Sequence, residues 1–112
     1  MKRLSILFVT LAAPAFANDA SAPVAGQALA PFNETYLCAG SRQLTVRYPA
    51  YVDAAREPIA LRWRQQNYSL TRVQSASGAR YVNRQLIWWT KGDKGFLTTR
   101  GGRMMARDCQ AQ

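Results

Sequence analysis

The chain has 112 residues, which is enough for one domain built on a single hydrophobic core. Fifteen Lys and Arg stand against six Asp and Glu, and the formal net charge at pH 7 is +9. Histidine is absent, so a catalytic triad with a histidine base is excluded, and two cysteines alone do not make a metal site. We therefore expect neither a metal nor a cofactor.

The first seventeen residues have the features of a secretory signal peptide. Lys2 and Arg3 precede an apolar run, and Ala15-Phe16-Ala17 is a small-x-small cleavage site. The run is too short to span a bilayer, and no cysteine follows it directly, so no lipid anchor is expected. The sequence predicts cleavage after Ala17, a soluble periplasmic protein, and a flexible leader over residues 18–31. A retained membrane anchor is the alternative.

From residue 32 to residue 112 the sequence is typical of a small all-β domain. Short runs rich in aromatic and β-branched residues alternate with turn residues, and strict alternation is clearest at Ile59, Leu61 and Trp63. The predicted strands are 34–38, 43–48, 59–64, 68–73, 79–82, 85–91, 96–99 and 103–109. An antiparallel meander this small hides its edges best when it closes, so we expect an eight-stranded antiparallel barrel.

Cys38 and Cys109 lie near the two ends of this patterned region. In an exported protein, an even pair at this spacing predicts a disulfide. Closing a loop of about 70 residues stabilises a fold by roughly 4 kcal/mol on the chain-entropy model. The predicted Cys38–Cys109 bond would tie the first strand to the last, as closure of a barrel requires.

Two short motifs, Ser77-Gly78 and Thr90-Lys91-Gly92, fall at the open end of one predicted hairpin. If Asn83-Arg84 forms its tip, Ser77 faces Thr90; a turn shifted by one residue instead places Ser77 opposite Gly92. Either register brings a hydroxyl and an ammonium within roughly 5 to 8 Å of each other. This pair of groups suits a target that carries carboxylates.

Catalysis is not expected. A serine–lysine dyad of Ser77 and Lys91 needs a desolvated lysine and an oxyanion hole, which the end of a thin hairpin does not offer. No spacing ties two carboxylates together. Trp88 and Trp89 are neighbours in one strand and therefore point to opposite faces. We expect both rings to be packed against the rest of the protein. The alternative is that one ring is exposed and stacks on a base or a sugar.

The two motifs, at this spacing and between two cysteines, resemble the MliC/PliC family of membrane-bound and periplasmic inhibitors of c-type lysozyme from Gram-negative bacteria. The resemblance runs from about residue 36 to residue 110. Residues 77–81 match the family's Ser-Gly-x-x-Tyr motif in full. Residues 86–92 match its Tyr-x-x-x-Thr-Lys-Gly motif except that Leu86 replaces the tyrosine.

The resemblance implies an eight-stranded barrel that blocks lysozyme by inserting a loop into the active-site cleft. Ser77 and Lys91 would be the inserted residues, aimed at the two catalytic carboxylates of the enzyme. The other motif residues implied in lysozyme binding are Gly78, Tyr81, Thr90 and Gly92. The absence of a lipobox cysteine implies the soluble periplasmic branch, with lysozyme and not nucleic acid as the partner.

A second class of function is the alternative. A secreted basic β-barrel could bind an anionic polymer, such as nucleic acid or lipopolysaccharide, through scattered arginines and an exposed tryptophan. The basic residues are dispersed, however, with no run of three, and Arg62 and Arg64 alternate with apolar neighbours as on the solvent face of a strand. A contiguous stripe of charge would favour the polymer, whereas one serine and one lysine favour the inhibitor.

Overall fold

The computed structural model of the chain describes residues 29–112; the predicted signal peptide and most of the predicted leader lie outside them. The described residues form eight strands and one short 3-10 helix, Tyr51–Asp53, between the second and third strands. The strands are β1 Phe32–Cys38, β2 Arg42–Tyr48, β3 Ile59–Trp63, β4 Gln66–Val73, β5 Ala79–Val82, β6 Leu86–Lys91, β7 Lys94–Thr99 and β8 Met104–Ala111. The predicted all-β class is confirmed.

The strands form a closed antiparallel barrel, in which each strand pairs with the next and β8 pairs with β1. The pairing of β8 with β1, which closes the barrel, has the shortest ladder: it pairs Tyr36 with Ala111 and Leu37 with Gln110. The ladder between β1 and β2, by contrast, extends along all of β1. The predicted disulfide between Cys38 and Cys109 joins β1 to β8 at this seam, with the two Cα atoms 3.8 Å apart. The predicted barrel and its disulfide are confirmed.

Alternation along the strands places the core inside the barrel. In β3, Ile59, Leu61 and Trp63 are buried, whereas Ala60 and Arg62 between them are exposed. The largest fully buried side chains are Trp63, Trp88, Tyr36, Tyr48, Leu44, Ile59, Leu61, Leu70, Leu97, Val46 and Cys109. Burial of these aromatic and aliphatic side chains is the main source of stability for a domain of this size.

The core contains a polar contact among three aromatic side chains. The Trp88 indole N–H donates to the Tyr48 hydroxyl over 3.1 Å, and the hydroxyls of Tyr48 and Tyr36 are 2.6 Å apart. Burial raises the pKa of Tyr36 to about 12 and raises the pKa of Tyr48 well above its ordinary value. Both hydroxyls are therefore neutral at physiological pH, and the barrel interior holds hydrogen bonds without holding charge.

The up-and-down order of strands gives the barrel two distinct ends. One end, which we call the turn end, carries the four tight connections after β1, β3, β5 and β7. The other, the loop end, carries the three connections after β2, β4 and β6, at residues 49–58, 74–78 and 92–93. Within residues 29–112, no helix is long and apolar enough to cross a membrane.

Candidate functional site

The β5–β6 hairpin has the second of the two predicted registers. Ala79 pairs with Thr90 and Val82 pairs with Ile87, so the expectation that Ser77 faces Thr90 is wrong. Continued beyond the ladder, the same register brings Ser77 level with Gly92. The reason is local: the Asn83 side-chain oxygen accepts the backbone N–H groups of residues 85 and 86, each over 2.7 Å, and this moves the tip of the turn forward by one residue.

Ser77 lies in the loop between β4 and β5, and its backbone is held from two sides. Its carbonyl oxygen accepts a hydrogen bond of 2.9 Å from the Trp89 indole N–H and one of 2.7 Å from the Ser75 hydroxyl. The Ser77 residue itself is exposed, and its own hydroxyl makes no hydrogen bond within residues 29–112. The loop is therefore fixed through its backbone and leaves a hydroxyl available to a partner.

Gly78 allows this loop to lie directly on β6. It has a φ of +71°, and a Cβ atom at this position would lie 2.2 Å from the backbone oxygen of Thr90. Real Cβ atoms do not approach a backbone oxygen so closely, and a positive φ also disfavours any side chain here. A glycine after Ser77 is therefore a condition for the packing of the loop against the neighbouring strand.

Lys91 ends β6 at the loop end and is exposed. The two-residue turn that follows contains Gly92, which has a φ of +63°, and Asp93. This turn sets Lys91 directly opposite Lys94 in β7, so two like charges face each other across the hairpin. Like charges in this position destabilise a hairpin, and a bound anion would relieve that repulsion.

No carboxylate neutralises Lys91 within the described part of the chain. The two ion pairs among residues 29–112 join Arg56 to Asp53 and Arg107 to Asp108. Asp93 belongs to the same turn, but its carboxylate accepts a hydrogen bond of 3.0 Å from the side chain of Gln110. Lys91 is therefore exposed and makes no ion pair among the described residues, although Asp108 lines the same surface pocket.

A surface pocket of about 470 Å³ brings Ser77 and Lys91 together, since both line it. Its walls also include two aromatic side chains, Trp89 and Phe96, whose ring centroids are 5.8 Å apart. Sequence reasoning missed Lys94 and Phe96 as parts of this site, and it considered an exposed tryptophan of the Trp88-Trp89 pair only as the less favoured alternative. Lys94 could have been found, because a two-residue turn at Gly92-Asp93 places it opposite Lys91. Phe96 carried no signal apart from strand composition.

The remaining predicted site residues lie behind this surface. Tyr81 and Thr90 are 2% and 3% exposed, and the Tyr81 ring packs against the Tyr48 ring inside the barrel. Gly92 is exposed at the turn, where its left-handed backbone shapes the hairpin without close contacts. In the part of the chain that the structure describes, no three Cys, Asp or Glu side chains cluster to hold a metal ion.

Fold and site together define a small disulfide-linked β-barrel whose loop end presents the exposed side chains of Ser77 and Lys91. A family model described as "Membrane-bound lysozyme-inhibitor of c-type lysozyme" matches residues 36–106. A protein named "Membrane-bound lysozyme inhibitor of C-type lysozyme" from Cupriavidus necator is 34% identical over 97 residues, which cover 85% of this chain and 76% of that protein. The chain belongs to this family, and the resemblance drawn from the two motifs is confirmed.

A second relative of the same name, from Pseudomonas aeruginosa, is 38% identical over 64 residues. That match covers 55% of this chain and 48% of the Pseudomonas protein, so the chain spans about half of that relative. No solved structure matches the chain significantly.

The one departure from the family motifs lies away from the site. Leu86, which replaces the motif tyrosine, begins β6, whereas Lys91 ends it. Its side chain is 4% exposed and belongs to the hydrophobic core. Five residues of extended strand separate the two positions by roughly 17 Å. The substitution changes the barrel interior near the turn end and leaves the groups at the loop end as the motif has them.

Proposed function

We propose that the protein inhibits a c-type lysozyme by inserting its loop end into the active-site cleft. The observation that carries the proposal is the joint placement of Ser77 and Lys91. Both are exposed, both line one pocket, and Lys91 has no counter-ion within the described residues. A cation left free beside a free hydroxyl, on a backbone fixed by Trp89 and Gly78, fits a target with acidic groups at the bottom of a cleft.

The chemistry of lysozyme supplies such a target. A retaining glycosidase of this type has two carboxyl groups about 5 to 5.5 Å apart, one acting as the acid and the other ionised. The Lys91 ammonium suits the ionised aspartate, because a charge-assisted hydrogen bond is the stronger kind. The Ser77 hydroxyl can donate or accept, and it therefore suits the catalytic glutamic acid, whose pKa of about 6 makes both its protonated and its ionised form accessible in the working pH range.

The same geometry explains how the loop end would bind without being cut. The inserted groups are side chains on a protein backbone, and they offer the enzyme no glycosidic bond to cleave. Preorganisation adds affinity, since the loop is already ordered by the Trp89 and Ser75 hydrogen bonds to Ser77 and loses little entropy on binding. Tyr81 and Thr90, being buried, would act by supporting the loop and the strand behind it.

Export to the periplasm is part of the proposal. The signal peptide predicted over residues 1–17 lies outside the described residues, and a disulfide-stapled barrel is the kind of fold that an oxidising compartment maintains. A periplasmic inhibitor would meet lysozyme after the enzyme has crossed the outer membrane.

The direct test is a titration of a c-type lysozyme with the purified protein, with hydrolysis of isolated cell walls as the readout. We expect stoichiometric loss of lysozyme activity, and competition between the inhibitor and a soluble chitin oligosaccharide for the cleft. Full lysozyme activity in the presence of a large excess of folded protein would overturn the proposal. A matched titration of an unrelated glycosidase with a differently shaped cleft serves as the control.

A further inference from the structure

The charges of the barrel are unevenly divided between its two ends. Each of the four connections at the turn end carries or adjoins arginine, and all these arginines are exposed. They are Arg42, Arg64, Arg84, Arg100 and Arg103. None of the five carboxylates in residues 29–112 lies in these connections: Glu34 and Asp108 lie within strands, and Asp53, Glu57 and Asp93 lie at the loop end.

The arginines at the turn end are also free of ion pairs within the described chain, since the two pairs found there involve Arg56 and Arg107. The closed barrel arranges the four connections in a ring, so these charges surround one rim. Arg100 bridges two of the connections, because its guanidinium donates to the carbonyl of Asn83 over 2.9 Å. The rim thus carries five exposed arginines and no side-chain carboxylate in its connections, a grouping that the dispersed sequence positions did not reveal.

One of these positions, Arg64, does not favour arginine. Arg64 and Gln65 have φ angles of 55° and 67° and form the two central residues of a tight hairpin turn. Such turns prefer Asn, Asp or Gly, which adopt positive φ at little strain. Mutual repulsion among five cations on one rim is unfavourable as well. Arg100 has an internal partner in Asn83, and the Arg64 guanidinium lies 5.8 Å from the Trp63 ring centroid, but neither contact neutralises charge. The uncompensated charge at this rim is therefore suited to an anionic ligand.

We infer that the turn end is a docking surface for an anionic lipid bilayer, held through the phosphates of the headgroups. A ring of arginines at the end of a barrel matches the flat array of phosphates on a bilayer better than it matches a linear row of phosphates along a polymer. Met104, 48% exposed beside Arg103, adds an apolar side chain that can enter the headgroup region. The loop end, with Ser77 and Lys91, then faces away from the bilayer and stays accessible.

A single-stranded nucleic acid fits this surface less well. Proteins that bind such strands stack the bases on exposed aromatic rings. Among the large apolar side chains exposed in residues 29–112, the one aromatic residue is Tyr51, which lies at the loop end. Trp63, next to Arg64, is 2% exposed and is unable to stack on a base. We therefore propose a lipid bilayer as the ligand, and the test below would reveal binding of a soluble anionic polymer instead.

The test is co-sedimentation with vesicles of phosphatidylglycerol and phosphatidylcholine in equal parts, compared with vesicles of phosphatidylcholine alone. The turn-end variant combines Arg64→Gln, Arg84→Gln and Arg103→Gln. The control removes the same charge away from this rim, by Arg47→Gln, Arg72→Gln and Arg80→Gln, which lie in β2, β4 and β5 near the loop end. Each basic residue near an anionic surface strengthens binding severalfold, so the turn-end variant should lose on the order of a hundredfold in partitioning.

The expected result is that the wild type binds anionic vesicles only, that the turn-end variant loses this binding, and that the control keeps most of it. Equal loss in both variants would mean that net charge alone acts and would overturn the proposal. Absence of binding to anionic vesicles would also overturn the proposal. Equally tight binding to soluble polyphosphate, with displacement of the vesicles, would overturn it as well. The single variant Arg84→Glu, whose native side chain makes no hydrogen bond in residues 29–112, repeats the test with minimal risk to folding and should cost about tenfold.

Discussion

The indole N–H of Trp89 donates a hydrogen bond of 2.9 Å to the backbone carbonyl of Ser77. Trp89 and Lys91 are two residues apart in β6 and therefore point to the same face of the strand. One side chain of β6 thus fixes the loop that carries the Ser77 hydroxyl, while the next outward side chain supplies the cation. The hydroxyl and the ammonium are positioned by a single rigid strand, which is the arrangement that a preformed inhibitory surface needs.

Replacing Trp89 by phenylalanine tests this relationship. Trp89→Phe keeps an aromatic ring beside Phe96 but removes the N–H donor to Ser77. A neutral hydrogen bond contributes about 0.5 to 1.5 kcal/mol, so we expect inhibition of lysozyme to weaken by roughly twofold to tenfold. The melting temperature should change little, because Trp89 is outside the core. An unchanged inhibition constant, measured in the cell-wall assay, would show that the loop does not need this bond.

The glycine after Ser77 gives a sharper prediction. In Gly78→Ala, the new Cβ would meet the Thr90 carbonyl at 2.2 Å, so the loop must move away from β6. We expect the inhibition constant to rise by at least tenfold, because the Ser77 hydroxyl is then displaced from the pocket that it shares with Lys91. Gly102→Ala is the matched control: it also has a positive φ, of 97°, but its Cβ would meet nothing within 4 Å. If the control weakens inhibition as strongly, backbone strain and not displacement of the loop is the cause.

Sequence reasoning predicted the barrel because its signals were local and repeated. Alternation at Ile59, Leu61 and Trp63 defined an inward face, and Cys38 with Cys109 identified the two strands that meet. The site was predicted less completely. The register of the β5–β6 hairpin depended on which residues form the tip, and the bonds of the Asn83 side chain that decide this are not visible in residue types.

Contacts between distant segments were beyond the sequence for a different reason. The Trp89–Ser77 bond and the pocket shared by Ser77 and Lys91 depend on how a loop packs across a neighbouring strand. The ring of arginines depends on closure of the barrel, which gathers positions as far apart as Arg42 and Arg103 at one rim. Spacing along the chain made these arginines look dispersed, and topology brings them together.

The disulfide prediction concerns the seam that closes the barrel. Two paired residues and two further backbone hydrogen bonds, from Ala39 to Arg107 and from Gln112 to Thr35, join β1 and β8 along this seam, and the Cys38–Cys109 bond links the same strands covalently. Closing a loop of about 70 residues contributes roughly 4 kcal/mol, a large share of the total stability of a small domain. We expect the double variant Cys38→Ser with Cys109→Ser to melt at a markedly lower temperature than the oxidised wild type. Two titratable thiols in the folded, oxidised protein, or an unchanged melting temperature, would contradict this.

Alkaline pH should destabilise the fold through its buried tyrosines. Burial raises the pKa of Tyr36 from 10.0 to about 12, so its contribution to stability is complete below about pH 10 and is lost as the pH rises toward 12. Above pH 10 the unfolded chain ionises this hydroxyl while the folded chain does not, and unfolding becomes more favourable. In denaturant titrations at about pH 9 and about pH 11, Tyr36→Phe should therefore lose less stability between the two pH values than the wild type.

The matched control for this experiment is Tyr51→Phe, because Tyr51 is 56% exposed. This variant should lose as much stability as the wild type over the same range. A Tyr36→Phe protein that declines as steeply as both of them would show that the Tyr36 hydroxyl is not a source of the alkaline transition.

The strongest prediction concerns the charge at the loop end. Lys91→Ala removes the cation proposed to pair with an ionised carboxylate of lysozyme, and truncating one partner of a desolvated charged pair costs about 2 to 5 kcal/mol. Ser77→Ala removes one neutral hydrogen-bonding group, which contributes about 0.5 to 1.5 kcal/mol. Inhibition should therefore weaken by well over tenfold for the lysine variant and by less for the serine variant, with melting temperatures unchanged because both residues are exposed. Arg62→Ala removes the same charge from an exposed position in β3 and should inhibit as the wild type does. If Lys91→Ala and Arg62→Ala weaken inhibition equally, net charge and not the placement of Lys91 beside Ser77 governs binding to lysozyme.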